Sequence, residues 1–144
     1  MRITPKLLLA AGAFAALPAA AIAQPWGGRN LSANLRAGME TPPNNIAARG
    51  YATVKVNPGR DRACYNVSFS GLPRATMAHI HSGAMGVAGP PVVTLTRTGA
   101  NRFSGCARID RALARDLVRT PGRFYVNVHS AAFPNGAIRG QLRG

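Results

Sequence analysis

An antiparallel all-β domain, a sandwich or barrel with one short helix, is what this sequence predicts, on three observations. About seven short stretches alternate apolar and polar residues with the period of two of a half-buried strand. Glycine-, proline- and asparagine-rich turn signals separate them at short intervals. A single stretch, Asp110 to Arg119, changes to helical spacing.

Taken in order, Gln24 to Arg29 is a Pro/Gly-rich lead, and residues 24–30 are set apart from a domain over 31–144. Asn30 to Arg36 reads as a first strand, ended by the loop AGMETPPNN. Arg49 to Val56 sets Ala52, Val54 and Val56 against Tyr51, Thr53 and Lys55, and Asn57-Pro58-Gly59-Arg60 turns it into the strand CYNVSF from Cys64. Met77 to His81 is a short strand with Ala78 and Ile80 on one face and both histidines on the other. After a glycine-rich loop, Val92 to Arg97 and Asn101 to Ile109 form a hairpin across Thr98-Gly99-Ala100. Asp110 is placed to cap the helix, Leu113 and Leu117 share its apolar side, and Pro121-Gly122 stops it. The last hairpin pairs Phe124 to His129 with Ala137 to Leu142 around Pro134-Asn135-Gly136.

The start of the chain is read differently. Arg2 and Lys6 precede the uncharged run Leu7 to Ala23, which ends in Ala21-Ile22-Ala23, the pattern of a cleaved secretory signal over residues 1–23. An uncleaved anchor is the alternative, but Pro18 and the small-residue ending oppose it. No other stretch is long and apolar enough to span a bilayer, so the mature chain is expected to be periplasmic or extracellular. Its sixteen basic residues face four acids, a formal charge of +12, nearly all arginine. That charge suits anionic surfaces or simply a solvated cationic face, and Arg111, Arg115 and Arg119 form one such stripe along the helix. With aromatic residues at 6%, alternating into strands rather than interleaving with basic residues as a base-stacking platform would, specific nucleic-acid recognition is not expected. Two cysteines in an exported chain, Cys64 and Cys106, each on the polar face of its strand, predict a disulfide across the outside of a sheet.

The chain's three histidines all sit at the exit of a strand. His79 and His81, two apart, lie about 6.6 Å from Cα to Cα on one face, close enough for two imidazoles to share a metal ion. His129 falls on the polar face of its strand with Tyr125 and Asn127. If those strands are neighbours the rings converge, and three imidazoles suit copper or zinc. The alternative is that the histidines bind loop carbonyls and pin the turns. No residues are assigned to catalysis: no acid lies beside a histidine, and Ser82 and Ser130 point away from the histidines they follow.

The runs AHIHSGAMGVAGPPVVTL and FYVNVHSAAFPNGAIRGQL, with AGMETPPNNIAARGYATVKVNP and CYNVSFSGL, strongly resemble the chordin-type (CHRD) domain from about Leu31 to Leu142. The resemblance implies an extracytoplasmic, immunoglobulin-like β-sandwich of Greek-key type with no established enzymatic activity. Where the family commonly has Gly-Glu-Ile-Arg-Gly in the last hairpin, this chain has Ala137, so no salt bridge from that position to Arg139 is expected. The cysteines fall where the family often has small polar residues. The H-x-H strand followed by a glycine-rich loop also looks like the copper-binding strand of copper/zinc superoxide dismutases.

Three functions follow, in this order: a non-catalytic binding module for a protein or an envelope or matrix polymer; a copper or zinc binder using His79, His81 and His129, with redox activity open to it; and an arginine-driven polyanion binder.

Overall fold

The structure is a computed structural model that describes residues 28–144. The expected signal over residues 1–23 lies outside the described residues. Nine strands follow in chain order: β1 (Arg29–Arg36), β2 (Arg49–Asn57), β3 (Arg62–Ser70), β4 (Ala75–Ser82), β5 (Pro91–Thr94), β6 (Arg97–Gly99), β7 (Arg102–Arg108), β8 (Phe124–Ser130) and β9 (Ile138–Gln141). One helix, α1 (Arg111–Arg119), lies between β7 and β8. All pairings are antiparallel and form one ladder in the order β5-β4-β8-β9-β1-β2-β3-β7-β6. The all-β, antiparallel architecture with a single helix is therefore as the sequence predicts.

The ladder's two edges are β5 and β6, which are consecutive in the chain. The sequence suggests one strand from Val92 to Arg97; the structure divides it at Leu95 and Thr96, and the division curls the sheet. The Leu95 amide donates to the Ala78 carbonyl of β4 at 2.9 Å, while the Thr96 carbonyl accepts from the Ser104 amide of β7 at 3.0 Å. The same short passage thus touches both ends of the ladder. Backbone groups at a sheet edge need partners when buried, and this crossing supplies them.

The interior holds one apolar face of every long strand: Leu31, Ala33 and Leu35 of β1, Ala52, Val54 and Val56 of β2, Tyr65, Val67 and Phe69 of β3, and Val126 and Val128 of β8 are all buried. These are the period-two positions of the sequence. Helix α1 adds Ala114 and Leu117, both fully buried, and Asp110 caps it by accepting the Leu113 amide at 2.7 Å. Of the arginine stripe, Arg111 is engaged, its guanidinium donating to Asp61 at 3.1 Å, a contact that holds the Asp61 carboxyl below its usual range.

Cys64 and Cys106 are register partners on β3 and β7 and are joined by a disulfide. The bridge lies on the outer face, as expected, and ties β7 near the ladder's edge to the central strands. Closing a loop with a sequence separation of 42 restricts the unfolded chain and stabilises by about 4 kcal/mol if the bridge is unstrained. The double variant Cys64→Ser/Cys106→Ser should lose stability of that order in denaturant titrations while keeping the wild-type far-ultraviolet circular dichroism spectrum.

Candidate metal centre

Strand β8 is buried along its whole length, on both faces. Its apolar face joins the core; its other face carries Tyr125, Asn127 and His129, which two loops and the neighbouring strands cover. In register, His79 lies opposite Asn127 and His81 opposite Tyr125, so β4 brings its histidines alongside His129. One ring nitrogen from each of the three histidines lies within 4.8 Å of the other two. The convergence expected from strand parity is present.

The roof over the site decides what the rings can do. His81 Nδ1 is 2.9 Å from the Gly89 carbonyl, and His129 Nδ1 is 2.9 Å from the Pro134 carbonyl. A carbonyl only accepts, so in both rings Nδ1 carries the proton and Nε2 carries the lone pair. His129 Nε2 sits 3.1 Å from His79 Nδ1. His81 Nε2 is buried with no protein partner. Outer contacts of this kind orient the imidazoles of metal sites, and here backbone carbonyls fill the place that acidic side chains often take.

The sites from which these carbonyls approach are tightly built. Loop 83–90 crosses so close to β4 that a Cβ on Gly89 would overlap the Ser82 carbonyl oxygen. Tyr125 holds the same glycine: its hydroxyl accepts from the Gly89 amide at 3.2 Å and is 3.3 Å from the Gly89 carbonyl. Arg139 of β9 clamps the loop further along, donating to the carbonyls of Ala84 at 2.8 Å and Val87 at 2.9 Å. His81, Tyr125 and Arg139 stack in strand order: the His81 and Tyr125 rings are 4.8 Å apart and nearly parallel, and the guanidinium carbon lies 3.4 Å from the Tyr125 ring centre. Arg139 is the largest of the fully buried side chains.

Glu40, from the loop after β1, is buried and feels the charge of Arg139. Asn127 Nδ2 donates to both its oxygens, at 3.0 and 3.2 Å. Gly136 leaves room for the pair, since a Cβ there would overlap the Asn127 amide and come within 2.6 Å of Glu40 Oε2, and its φ of 137° is one that side chains rarely adopt. Ala137 is itself fully buried, so the carboxyl that faces Arg139 comes from Glu40, 97 positions earlier in number than that alanine. Sequence reasoning missed Glu40, because nothing local links it to the last hairpin. It also gave Arg139 and Tyr125 no role, although both lie on the polar faces of their strands.

The electrostatics favour neutral imidazoles. Burial, with the neighbouring rings of His129 and His81, holds the His79 pKa down at about 4. Burial also lowers His81 and His129, partly offset by their bonds to the Gly89 and Pro134 carbonyls. Glu40 moves the other way, raised to about 7 by burial against the opposing pull of Arg139 and Asn127.

An ion bound tetrahedrally at about 2.1 Å from each nitrogen sets those nitrogens about 3.4 Å apart, so the cluster must close by roughly 1 Å at its widest pair. His79 is the least buried of the three, and its Nδ1 already lies 3.1 Å from His129 Nε2. Its Nδ1 must then carry a lone pair, which requires only that its proton sit on Nε2.

Depressed histidine pKa values make the unfolded chain bind more protons below pH 6.5, so they remove stability as pH falls from there. A raised Glu40 pKa makes the folded chain bind the extra proton between 4.5 and about 7, so it removes stability as pH rises through that range. In metal-free protein the comparison with Glu40→Gln isolates the second effect, because the histidines are common to both. The melting temperature of wild type relative to Glu40→Gln should fall between about pH 5 and pH 8 by roughly 5 °C. Parallel curves would show that Glu40 titrates as an ordinary carboxyl.

A family model described as CHRD domain matches residues 31–142. No curated protein and no solved structure matches the chain. The match covers both histidine strands, both roofing loops and β1 to β9 almost from end to end: the chain belongs to the CHRD-domain family.

Proposed function

We propose that this CHRD-domain chain is an exported, non-catalytic module that holds one copper or zinc ion with His79, His81 and His129. The observation that carries the reading is the convergence of the three rings, one nitrogen from each within 4.8 Å of the others, beside a buried His81 Nε2 that has no protein partner. A buried acceptor without a partner costs about 1–3 kcal/mol, and an ion shared with two other imidazoles would relieve that cost. The donor set suits the choice of metal: three neutral imidazoles and no carboxylate favour copper or zinc over calcium or magnesium.

Export is supported by the disulfide and by the signal-like residues 1–23, and no helix among the described residues is long and apolar enough to cross a membrane. A non-catalytic role is supported by the placement of the polar groups around the site. Ser130 Oγ accepts the Phe133 amide within its own turn, and Glu40 is held by Asn127. When bound, the ion would act as a Lewis acid held by the three imidazoles. What this chain's residues do is orient the Nε2 lone pairs of His81 and His129 and keep all three rings neutral. The protein or polymer expected to partner such a module is most simply sought at the loop face beside this site, where Met85 and Val87 are exposed.

Calorimetric titration of the purified domain with zinc(II) and copper(II) should show one-to-one binding tighter than about micromolar, lost in His79→Ala/His81→Ala/His129→Ala. Single His79→Ala, at the least buried ring, provides the test should the triple variant fail to fold. Because all three imidazoles are held below their usual pKa, affinity should change little between about pH 7.5 and pH 6, where ordinary imidazoles would lose ligand capacity to protons. Wild-type protein that takes up neither ion would refute the reading and leave the histidines as pins for the roofing loops.

A further inference from the structure

The pairing of β4 with β8 is irregular at one place, and that place is beside the histidines. Ala75 pairs with Ser130 and Ala78 with Val128, so β4 spends three steps where β8 spends two. The extra residue is a β-bulge, with Thr76 and Met77 together facing the single position His129. Ala75 and Ala78 are buried in the core, whereas Thr76 and Met77 are both exposed. Both residues of the bulge therefore stand on the outer face, the face of His79. Strict alternation from Ala75 would have turned Met77, His79 and His81 inward together; the bulge resets the parity, so that these residues share the face of His129.

By register Met77 thus shares a face with two histidines: His79 two residues along the same strand, and His129 across the bulge. Those are the rings whose nitrogens lie 3.1 Å apart. The methionine is 49% exposed and contributes nothing to the core, so packing does not account for a large apolar residue there. The other approaches to the cluster are roofed, over His81 by the Gly89 carbonyl and over His129 by the Pro134 carbonyl.

We infer that Met77 supplies a thioether as fourth ligand to the histidine site and fits that site for copper(I). The inference rests on the metal-binding reading above and narrows it to one ion. A thioether is a soft donor that selects copper(I) and adds little for zinc, and methionine's three rotatable bonds let its sulfur swing from an exposed position onto a neighbouring ion. Charge points the same way. All four donors are neutral and the buried guanidinium of Arg139 acts electrostatically on His81, so the surroundings penalise a dication more than a monovalent ion.

The test uses the whole exported domain and the conservative variant Met77→Leu, which keeps the side chain's size and removes its sulfur. Copper(I) affinity is read anaerobically by competition with the chelator bicinchoninate, and zinc(II) affinity by calorimetry. Met77→Leu should weaken copper(I) binding by at least the roughly tenfold that the loss of an outer-shell partner costs, and leave zinc(II) affinity within about twofold. X-ray absorption of the copper(I)-loaded wild type should show a sulfur scatterer that the variant lacks. Equal copper(I) affinity in the two proteins, with nitrogen scatterers alone, would overturn the inference. Binding of zinc(II) or copper(II) without copper(I) would overturn it while sparing the metal site, and wild type that binds no metal would overturn both.

Discussion

The covering of β8 on both faces is the constraint on which this molecule depends. A strand that is apolar on one side and carries Tyr125, Asn127 and His129 on the other can be buried only if most of those polar atoms find partners, and all but Asn127 Oδ1 do. The partners come from elsewhere in the chain: His79 and His81 from β4, Glu40 from the loop after β1, and the Gly89 and Pro134 carbonyls from the two roofing loops. The histidine cluster is thus part of the polar half of a two-sided core.

Loop 83–90 shows how this constraint shapes the backbone. Its carbonyls at Ala84, Val87 and Gly89 all point back at side chains of β4, β8 and β9, and its amide at Gly89 does the same. Gln141 completes the anchorage, its amide donating to the carbonyls of Gly83, Gly122 and Phe124 at 2.7, 2.8 and 3.0 Å. A buried arginine without a hydrogen-bonded carboxylate is expensive in isolation. Here Arg139 is repaid by two loop carbonyls, by the face of Tyr125 and by the field of Glu40. The same clamp that satisfies the arginine fixes the carbonyl that sets the His81 tautomer, so the ring's aim is a consequence of the fold's polar satisfaction.

Much of this was legible in the sequence. Period-two alternation located the long strands and their inward residues, Asp110 with the Leu113 and Leu117 spacing located α1, and strand parity placed both cysteines outside and all three histidines on polar faces. What alternation could not reveal is where it breaks. The division of Val92 to Arg97 at Leu95 and Thr96 depends on two hydrogen bonds to strands at opposite ends of the ladder, and the bulge at Thr76 and Met77 is defined only against Ser130 and Val128. Glu40 and Arg139 were illegible for the same reason, since their burial is set by contacts between the first loop and the last hairpin. Local pattern sees faces; it does not see which distant segment covers them.

The central claim is that the roofing carbonyls leave the Nε2 lone pairs of His81 and His129 directed into a shared site. Nitrogen-15 NMR of the histidine side chains in metal-free protein near pH 6 tests it most directly, because it distinguishes the two neutral tautomers from the imidazolium ion. His81 and His129 are expected to be neutral with the proton on Nδ1, and their Nε2 resonances to move on addition of zinc(II). Imidazolium rings at that pH, or protons on Nε2 in either residue, would contradict the account.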